Sequence, residues 1–334
     1  MKIVFDSPNF FPLTGGLENL VMDLAIELSL LGHSVTLFTR TPGAGPDDFG
    51  FDVLRRPGLA RRLQRLAAAD VLVQFNVSLK GLLSWLPARP PLVVSHQTPN
   101  TDDWRGRLKS WVANHWCARN IGCSAHMSRP FRHAQTIPNP YNQLIFKNFL
   151  PWNQRKSELL FVGRLVSDKG VDVLLQALAI LAAEGLRPAL KVVGAGPEEI
   201  PLKKLCALLG LDNQVSFAGL LREQALAAIM NEHRILVVPS TWEEPFGIVA
   251  LEGLACGCWL IGSSGGGLPE AIGPGGAVFP NGDAAALAAC LRDALLQPEN
   301  CVPDPEKIHP HLERHHRSAI AREYAAVLEN LVVR

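Results

Sequence analysis

Short apolar runs alternate with segments of helical period along this chain, then the alternation stops and starts again. The first series opens with KIVFD at 2–6. A helix pattern at 16–32 follows, with Leu17, Leu20, Val21, Leu24, Leu28 and Leu31 on one face, and then SVTLFT at 34–39. Further runs, DVLVQF at 70–75, PLVVSH at 91–96 and NIGCSA at 120–125, continue the series. Runs that are apolar throughout, without in–out alternation, predict parallel strands covered on both faces by helices.

The stretch PNPYNQLIFKNFLPWNQRKS at 138–157 mixes Pro, Asn and basic residues with neither period, and the domain boundary is expected within it. The pattern then restarts. Strands are expected at 158–164, 189–196, 215–219, 235–240 and 259–264, and helices at 171–184, 201–209, 222–232, 247–256 and 284–296. The chain of 334 residues is also longer than one core usually organises. The expectation is α/β throughout: two doubly wound Rossmann-like domains, 1–150 and 151–316, facing an interdomain cleft. Such sheets bind ligands outside the carboxyl ends of their strands.

Composition excludes some classes and leaves others open. Lys plus Arg is 32 against 31 acids, which gives no reason to expect nucleic acid as a partner. The start MKIVFDSPNF reads as a strand broken by Asp6 and Pro8 rather than a signal peptide, and no apolar stretch reaches the roughly 18 residues that span a bilayer. A cytoplasmic enzyme is expected. Seven cysteines with no framework spacing predict free thiols.

The residues with chemistry sit at strand ends. The first strand runs into SPNFFPLTGGLEN, where Gly15 and Gly16 open a helix whose N-terminal amides suit an anion, although a Gly-Gly turn without a ligand is the commoner use. The strand at 158–164 ends in GRLVSDKG. Arg164 and Lys169 there would bracket a diphosphate, or Arg164 would pair with Asp168 in a solvated loop. After ILVVPS comes TWEEPFGIVALEGLACG, with Glu244 and Glu252 on either side of seven mostly apolar residues. Eight helical steps would separate them by about 12 Å, too far for the roughly 5 to 9.5 Å of a glycosidase dyad. Each would instead accept hydrogen bonds from a different part of one long ligand, with the amides of Phe246, Gly247, Ile248 and Val249 between them. The structural alternatives are a helix cap for Glu244 and a core Arg partner for Glu252.

TGGLEN, His96, IPNP, FVGRLVSDKG, VVGAGP, PSTWEEPFGIVALEGLACG and GGLPEAI follow one another in an order that resembles the retaining GT-B glycosyltransferases of family 4, the glycosyl transferases group 1. The resemblance covers nearly the whole chain, and the E-x7-E element with the upstream Arg/Lys loop is its most specific part. It implies a hexosyltransferase-type enzyme that moves a sugar from a nucleoside-diphosphate sugar to an acceptor hydroxyl. By that resemblance Glu252 binds the ribose and Glu244 contacts the donor sugar. Arg164 and Lys169 neutralise the diphosphate, Gly16 gives its amide to a phosphate, and His96 reaches the sugar. It also implies a C-terminal helix near 317–334 packing back on the first domain. A nucleotide-sugar epimerase or phosphorylase of the same fold and a noncatalytic sugar-nucleotide-binding protein are the alternatives. The chain departs from the family pattern in Gly253, where Ala is common, and in GCWLIG at 257–262; both changes touch packing beside the site. No D-x-D occurs, so metal-independent transfer with no cofactor beyond the donor is expected. The acceptor and the donor base, UDP, GDP or ADP, are not encoded in any motif.

Three further features carry weaker expectations. RRPGLARRLQRLAAAD at 55–70 holds five arginines. In WRGRLKSWVANHWCARN at 104–120, Trp104, Leu108, Trp111 or Val112, and Trp116 share a helical face beside Arg105, Arg107, Lys109 and Arg119. The simpler expectation is a helix that covers the sheet and leaves a solvated basic face; the alternative is peripheral contact with a membrane. His311 and His315 stand at i, i+4 spacing, but a surface segment is expected there rather than a metal site.

Overall fold

The computed structural model describes residues 1–13, 15–43 and 45–332, which form two compact units, Met1–Pro140 with the C-terminal segment from His315, and Tyr141–Arg314. The first unit is built from β1 (Lys2–Ser7), α1 (Gly16–Leu30), β2 (Ser34–Thr39), β3 (Asp52–Arg55), α2 (Leu59–Ala67), β4 (Val71–Phe75), α3 (Leu79–Ala88), β5 (Leu92–His96), α4 (Trp104–His115), β6 (Arg119–Gly122), α5 (Ala125–Ser128) and β7 (Ala134–Thr136). The second contains β8 (Ser157–Val162), α6 (Val171–Ala183), β9 (Leu190–Val193), α7 (Glu199–Leu208), β10 (Val215–Gly219), α8 (Glu223–Glu232), β11 (His233–Val238), α9 (Ile248–Ala255), β12 (Trp259–Ser263), α10 (Leu268–Ile272), β13 (Gly276–Phe279), α11 (Ala284–Leu296) and α12 (Pro305–Arg314). The last helix, α13 (Arg317–Val332), returns to the first unit.

Each sheet is wholly parallel. The first has the order β3-β2-β1-β4-β5-β6-β7 and the second β10-β9-β8-β11-β12-β13. In both, the strand order reverses beside the first strand, between β1 and β4 and between β8 and β11. A crevice opens at such a switch point because the flanking crossovers leave in opposite directions.

Alternate residues of the first sheet serve two cores. Ile3, Phe5, Leu37, Val73 and Val93 pack with α1 and with Ile320, Ala321, Tyr324 and Leu328 of α13. Val4, Phe38, Leu72 and Val94 pack on the other side with Leu66 of α2, Leu82 and Trp85 of α3, and Val112 and Ala113 of α4. The C-terminal helix is fixed by two polar contacts as well: the Tyr324 hydroxyl lies 2.8 Å from Ser95 Oγ, and the Arg317 guanidinium donates to Asp23 Oδ1 at 2.9 Å.

The units divide between Pro140 and Tyr141, not near residue 150, and again after Arg314 rather than 316. The reason is a buried arginine. Arg155 is 1% exposed and donates to the carbonyls of Leu150, Met230, His233 and Cys256 and to Asn148 Oδ1, at 2.5 to 3.4 Å. The amides of Phe149 and Leu150 donate to Asn231 Oδ1. The irregular segment is therefore part of the second unit.

Three strands, β3, β7 and β13, are additional to those expected from the sequence, and each is an outer or next-to-outer strand of four residues or fewer. The helix α4 is the larger difference. Its buried residues are Gly106, Val112 and Ala113, while Trp104, Leu108, Trp111 and Trp116 are exposed. The aromatic face expected to cover the sheet points to solvent. Val112 and Ala113 fill the core beside the sheet, and Gly106 lets the helix close on its own preceding loop, where a Cβ would lie 1.7 Å from the Thr101 carbonyl oxygen. His311 and His315 are each 6% exposed, so the expected surface segment is buried, and His311 Nε2 contacts the Ala271 carbonyl at 3.0 Å.

Candidate active site at the strand ends

In the second unit the loops after β8 and β11 meet at the switch point. Gly170 sits at φ 65°, and a Cβ there would lie 1.9 Å from the Pro239 carbonyl oxygen. Only a residue without a Cβ permits this approach. The Thr241 amide donates to the Asp168 carbonyl at 3.0 Å and closes the two loops together.

This contact brings Lys169 against Glu244. Lys169 Nζ forms an ion pair with Glu244 Oε1, and Ser240 Oγ donates to the same oxygen at 2.6 Å. Lys169 also lies over the Trp242 ring, 5.6 Å from its centroid. Glu244 is 7% exposed, so its charge depends on these partners. Its backbone is held by a bridge to Gly266, at φ 72°, and by the Gly267 amide at 2.7 Å. Asn281 completes the frame, accepting from the Gly265 amide and donating to the Trp242 carbonyl. Two buried polar atoms in this frame, Asp168 Oδ1 and Trp242 Nε1, have no hydrogen-bond partner.

Arg164 is exposed and takes part in no ion pair among the described residues, so the Arg164–Asp168 pair is not formed. Its loop is anchored by Leu165, whose amide donates to Ala195 and whose carbonyl accepts from Glu198. Arg164 is thus carried on an anchored loop, five residues before Lys169.

Helix α9 begins at Ile248, so only half of the path from Glu244 to Glu252 is helical, and the 12 Å estimate does not hold. Gly247 at φ 106° turns the chain into the helix, and no side chain caps it. The first-turn amides of Ile248 and Val249 therefore lack that partner. Phe246 is 2% exposed and anchors the turn in the core. Glu252 lies in the second turn, half-buried. Gly253 makes room for Leu236, whose Cδ2 would lie 2.3 Å from a Cβ at that position.

The first unit holds the remaining sequence-derived residues at its own strand ends. Gly15 flanks and Gly16 opens α1, which follows β1, again without a side-chain cap. His96 ends β5 and is 1% exposed. Its ring stacks on Phe131, 3.7 Å between centroids, and its Nε2 lies 2.9 Å from Asn120 Oδ1. Asn120 Nδ2 already donates to Ala113 and Arg132 carbonyls, so Oδ1 accepts and His96 Nε2 carries the proton. Burial lowers the imidazole pKa to about 4. The ring is neutral, and Nδ1 is the nitrogen left for a further contact. Ser240 and Trp242 are the site residues that sequence reasoning did not single out, although Ser240 directly precedes the TWEEPFGIVALEGLACG motif and Trp242 lies inside it.

Residues 142–307 match the glycosyl transferases group 1 family. This segment belongs to that family. The group 1 segment carries Arg164, Lys169, Ser240, Glu244 and Glu252 alike. A D-inositol 3-phosphate glycosyltransferase from Streptomyces avermitilis is 40% identical over 154 residues, covering 42% of this chain and 32% of that protein. A Mycobacterium tuberculosis glycogen synthase is 26% identical over 367 residues, covering 89% and 87%. The first relatives matched are thus covered over about a third of their length, 29% for an uncharacterized glycosyltransferase of Methanocaldococcus jannaschii. Among solved structures, Anabaena HepE in complex with UDP matches with a TM-score of 0.85 and 20% identity, covering 99% of this chain and 100% of that one. WaaG, a glycosyltransferase of lipopolysaccharide biosynthesis, matches with a TM-score of 0.71 and 19% identity, covering 98% and 99%. The group 1 segment and the unit before it therefore share the α/β fold of the GT-B glycosyltransferases. None of the described helices is long and apolar enough to cross a membrane.

Proposed function

We propose that this protein is a hexosyltransferase that moves a sugar from a nucleoside-diphosphate sugar to an acceptor hydroxyl, with retention and without a metal ion. The observation that carries the reading is the Lys169–Glu244–Ser240 cluster at the β8/β11 switch point, with the exposed Arg164 on the same loop as Lys169 and the uncapped start of α9 just after Glu244. Breaking a sugar–diphosphate bond develops negative charge on the leaving oxygens. Fixed cations and amides aimed there stabilise it, because they need not reorganise. Lys169 would leave Glu244 Oε1 for the diphosphate, which frees Glu244 to accept from sugar hydroxyls. Arg164 would take the other phosphate oxygens as a fork. Glu252, one helical turn deeper, would accept from the ribose.

In this scheme the anomeric carbon loses its bond to the diphosphate oxygen and gains one to the acceptor oxygen on the same face. The acceptor proton passes to the departing phosphate. The HepE structures with UDP and with UDP-glucose support a uridine donor. Calorimetric titration with UDP, GDP, ADP and the corresponding monophosphates tests the reading. A diphosphate is expected to bind at least tenfold more tightly than its monophosphate, in excess chelator as well as without it. Equal affinities for the two, or binding that needs Mn²⁺ or Mg²⁺, would overturn it.

A further inference from the structure

Helices α2, α3 and α4 lie on the same side of the first sheet and share one core. Together they contain seven cations and no carboxylate: three arginines in α2, Lys80 in α3, and Arg105, Arg107 and Lys109 in α4. On the opposite side α1 carries Glu18, Asp23 and Glu27 and no cation, and α13 beside it adds Arg317, Arg322, Glu323 and Glu329, with Arg317 paired to Asp23. The unit is thus polarised across its sheet, in a chain whose overall balance is 32 to 31.

The basic side also exposes its largest apolar groups. Trp104 is 67% exposed, Trp111 47% and Leu108 40%, at positions four and three apart that place them on one line of α4. Leu83 of α3 and Leu59 of α2 extend the apolar surface to 70% and 60% exposure. The aromatic groups are held rather than loose. Trp111 packs edge-on to Trp116 at 5.5 Å, and Trp116 lies 6.0 Å from the core residue Trp85. Some of these cations are already partnered: Arg62 and Arg65 of α2 pair with Asp6 and Asp52, and Asp103, which caps α4 through the Gly106 amide, interacts with Arg105 and Lys109. Asp102 and Asp103 are both exposed at the helix start, so three cations and two carboxylates leave this segment with a net charge of +1.

We infer that the α2–α3–α4 side of the first unit docks on an anionic lipid bilayer, with Trp104, Leu108 and Trp111 entering the interface and Arg105, Arg107 and Lys109 meeting the headgroups. Indole rings favour the headgroup level, where their apolar bodies leave water and their N–H groups stay hydrated. Basic stems lie along the apolar surface while their charges reach outward. This assignment goes beyond the proposed transfer reaction and does not depend on it.

The test is flotation of the full chain with neutral phosphatidylcholine vesicles and with vesicles containing phosphatidylglycerol. Binding is expected to the anionic vesicles only, with a blue shift of tryptophan emission, and to weaken with salt. Each cation near the surface contributes roughly fivefold. The triple variant R105Q/R107Q/K109Q and the double variant W104A/W111A should each therefore lose tenfold or more in partitioning. UDP affinity and thermal unfolding report whether the variants fold, and both should be unchanged. Equal flotation with neutral vesicles, no flotation, or variants that float like the parent would overturn the assignment. So would a dimer that W104A/W111A converts to monomer, or a preference of the basic face for RNA over vesicles.

Discussion

Lys169 and Glu244 form an ion pair across 75 positions of sequence because Gly170 lets the loop after β8 rest on the backbone of the loop after β11. The pair is mostly shielded from water, with side-chain exposures of 20% and 9%. A glycine at one loop thereby sets the charge arrangement of the other.

Replacing Gly170 by Ala should separate the loops. The Cβ would occupy the space of the Pro239 carbonyl at a φ that side chains rarely adopt. A loss of roughly 1–3 kcal/mol in stability is expected. UDP affinity should fall at least tenfold. Urea unfolding and calorimetry on the same preparation check both.

Lys169→Ala and Glu244→Gln should differ in kind. The first leaves a buried carboxylate with Ser240 as its remaining side-chain donor, which costs about 2 kcal/mol, and removes a diphosphate cation. Turnover should drop roughly 10²–10³-fold. The second removes the negative charge while keeping an acceptor for Ser240, so stability should change by less than about 1 kcal/mol. Its effect should appear in sugar transfer more than in UDP affinity. Steady-state assays of nucleoside diphosphate release, paired with UDP titrations, separate the two.

Arg155→Met should be among the most damaging single changes in the second unit. Four carbonyls and Asn148 Oδ1 would lose their donor, and roughly 3–5 kcal/mol of stability should go with it. Lys cannot reproduce the planar fork, so Arg155→Lys should rescue only a small part. Chemical denaturation monitored by Trp fluorescence gives the comparison.

Acid should destabilise the first unit through His96. Its folded-state pKa, about 4, lies below the ordinary value of 6.5, so the unfolded chain binds the proton more readily. Stability is therefore full above pH 6.5 and is lost as pH falls from 6.5 toward 4, by about 3 kcal/mol in all. Burial lowers the pKa of His33 as well, which adds slope of the same sign in the first unit, and His233 and His311 act in the same direction in the second. His96→Asn should flatten the profile in this window, as measured by urea titration at a series of pH values.

Much of the fold is legible in the sequence because a buried parallel strand must be apolar on both faces. Runs such as VLVQF and HRILVV are recognisable without their partners. β3, β7 and β13 are not, since an outer strand needs only backbone bonds to one neighbour: β3 buries one of its four residues, and β7 none. The α4 face was misread for a related reason. Periodicity groups Trp104, Leu108 and Trp111 on one side, but Val112 and Ala113 are the residues that fit the core beside the sheet, while Gly106 closes on the loop before the helix.

The sequence by itself determined two α/β halves, the placement of Arg164, Lys169 and Glu244 in loops after strands and of Glu252 in the helix that follows, and the glycines that turn the chain beside them. Those are local properties, carried by residue type and spacing. Only the tertiary structure decided that Ser240 and Lys169 share one oxygen of Glu244, that Arg155 draws residues 141–156 into the second unit, and that the tryptophans of α4 face outward. Each of these depends on which segments meet in three dimensions. Where two loops touch, as at Gly170 on Pro239 and Gly266 on Glu244, the absence of a Cβ sets the distance, and elsewhere packing and side-chain hydrogen bonds decide, not the pattern along the chain.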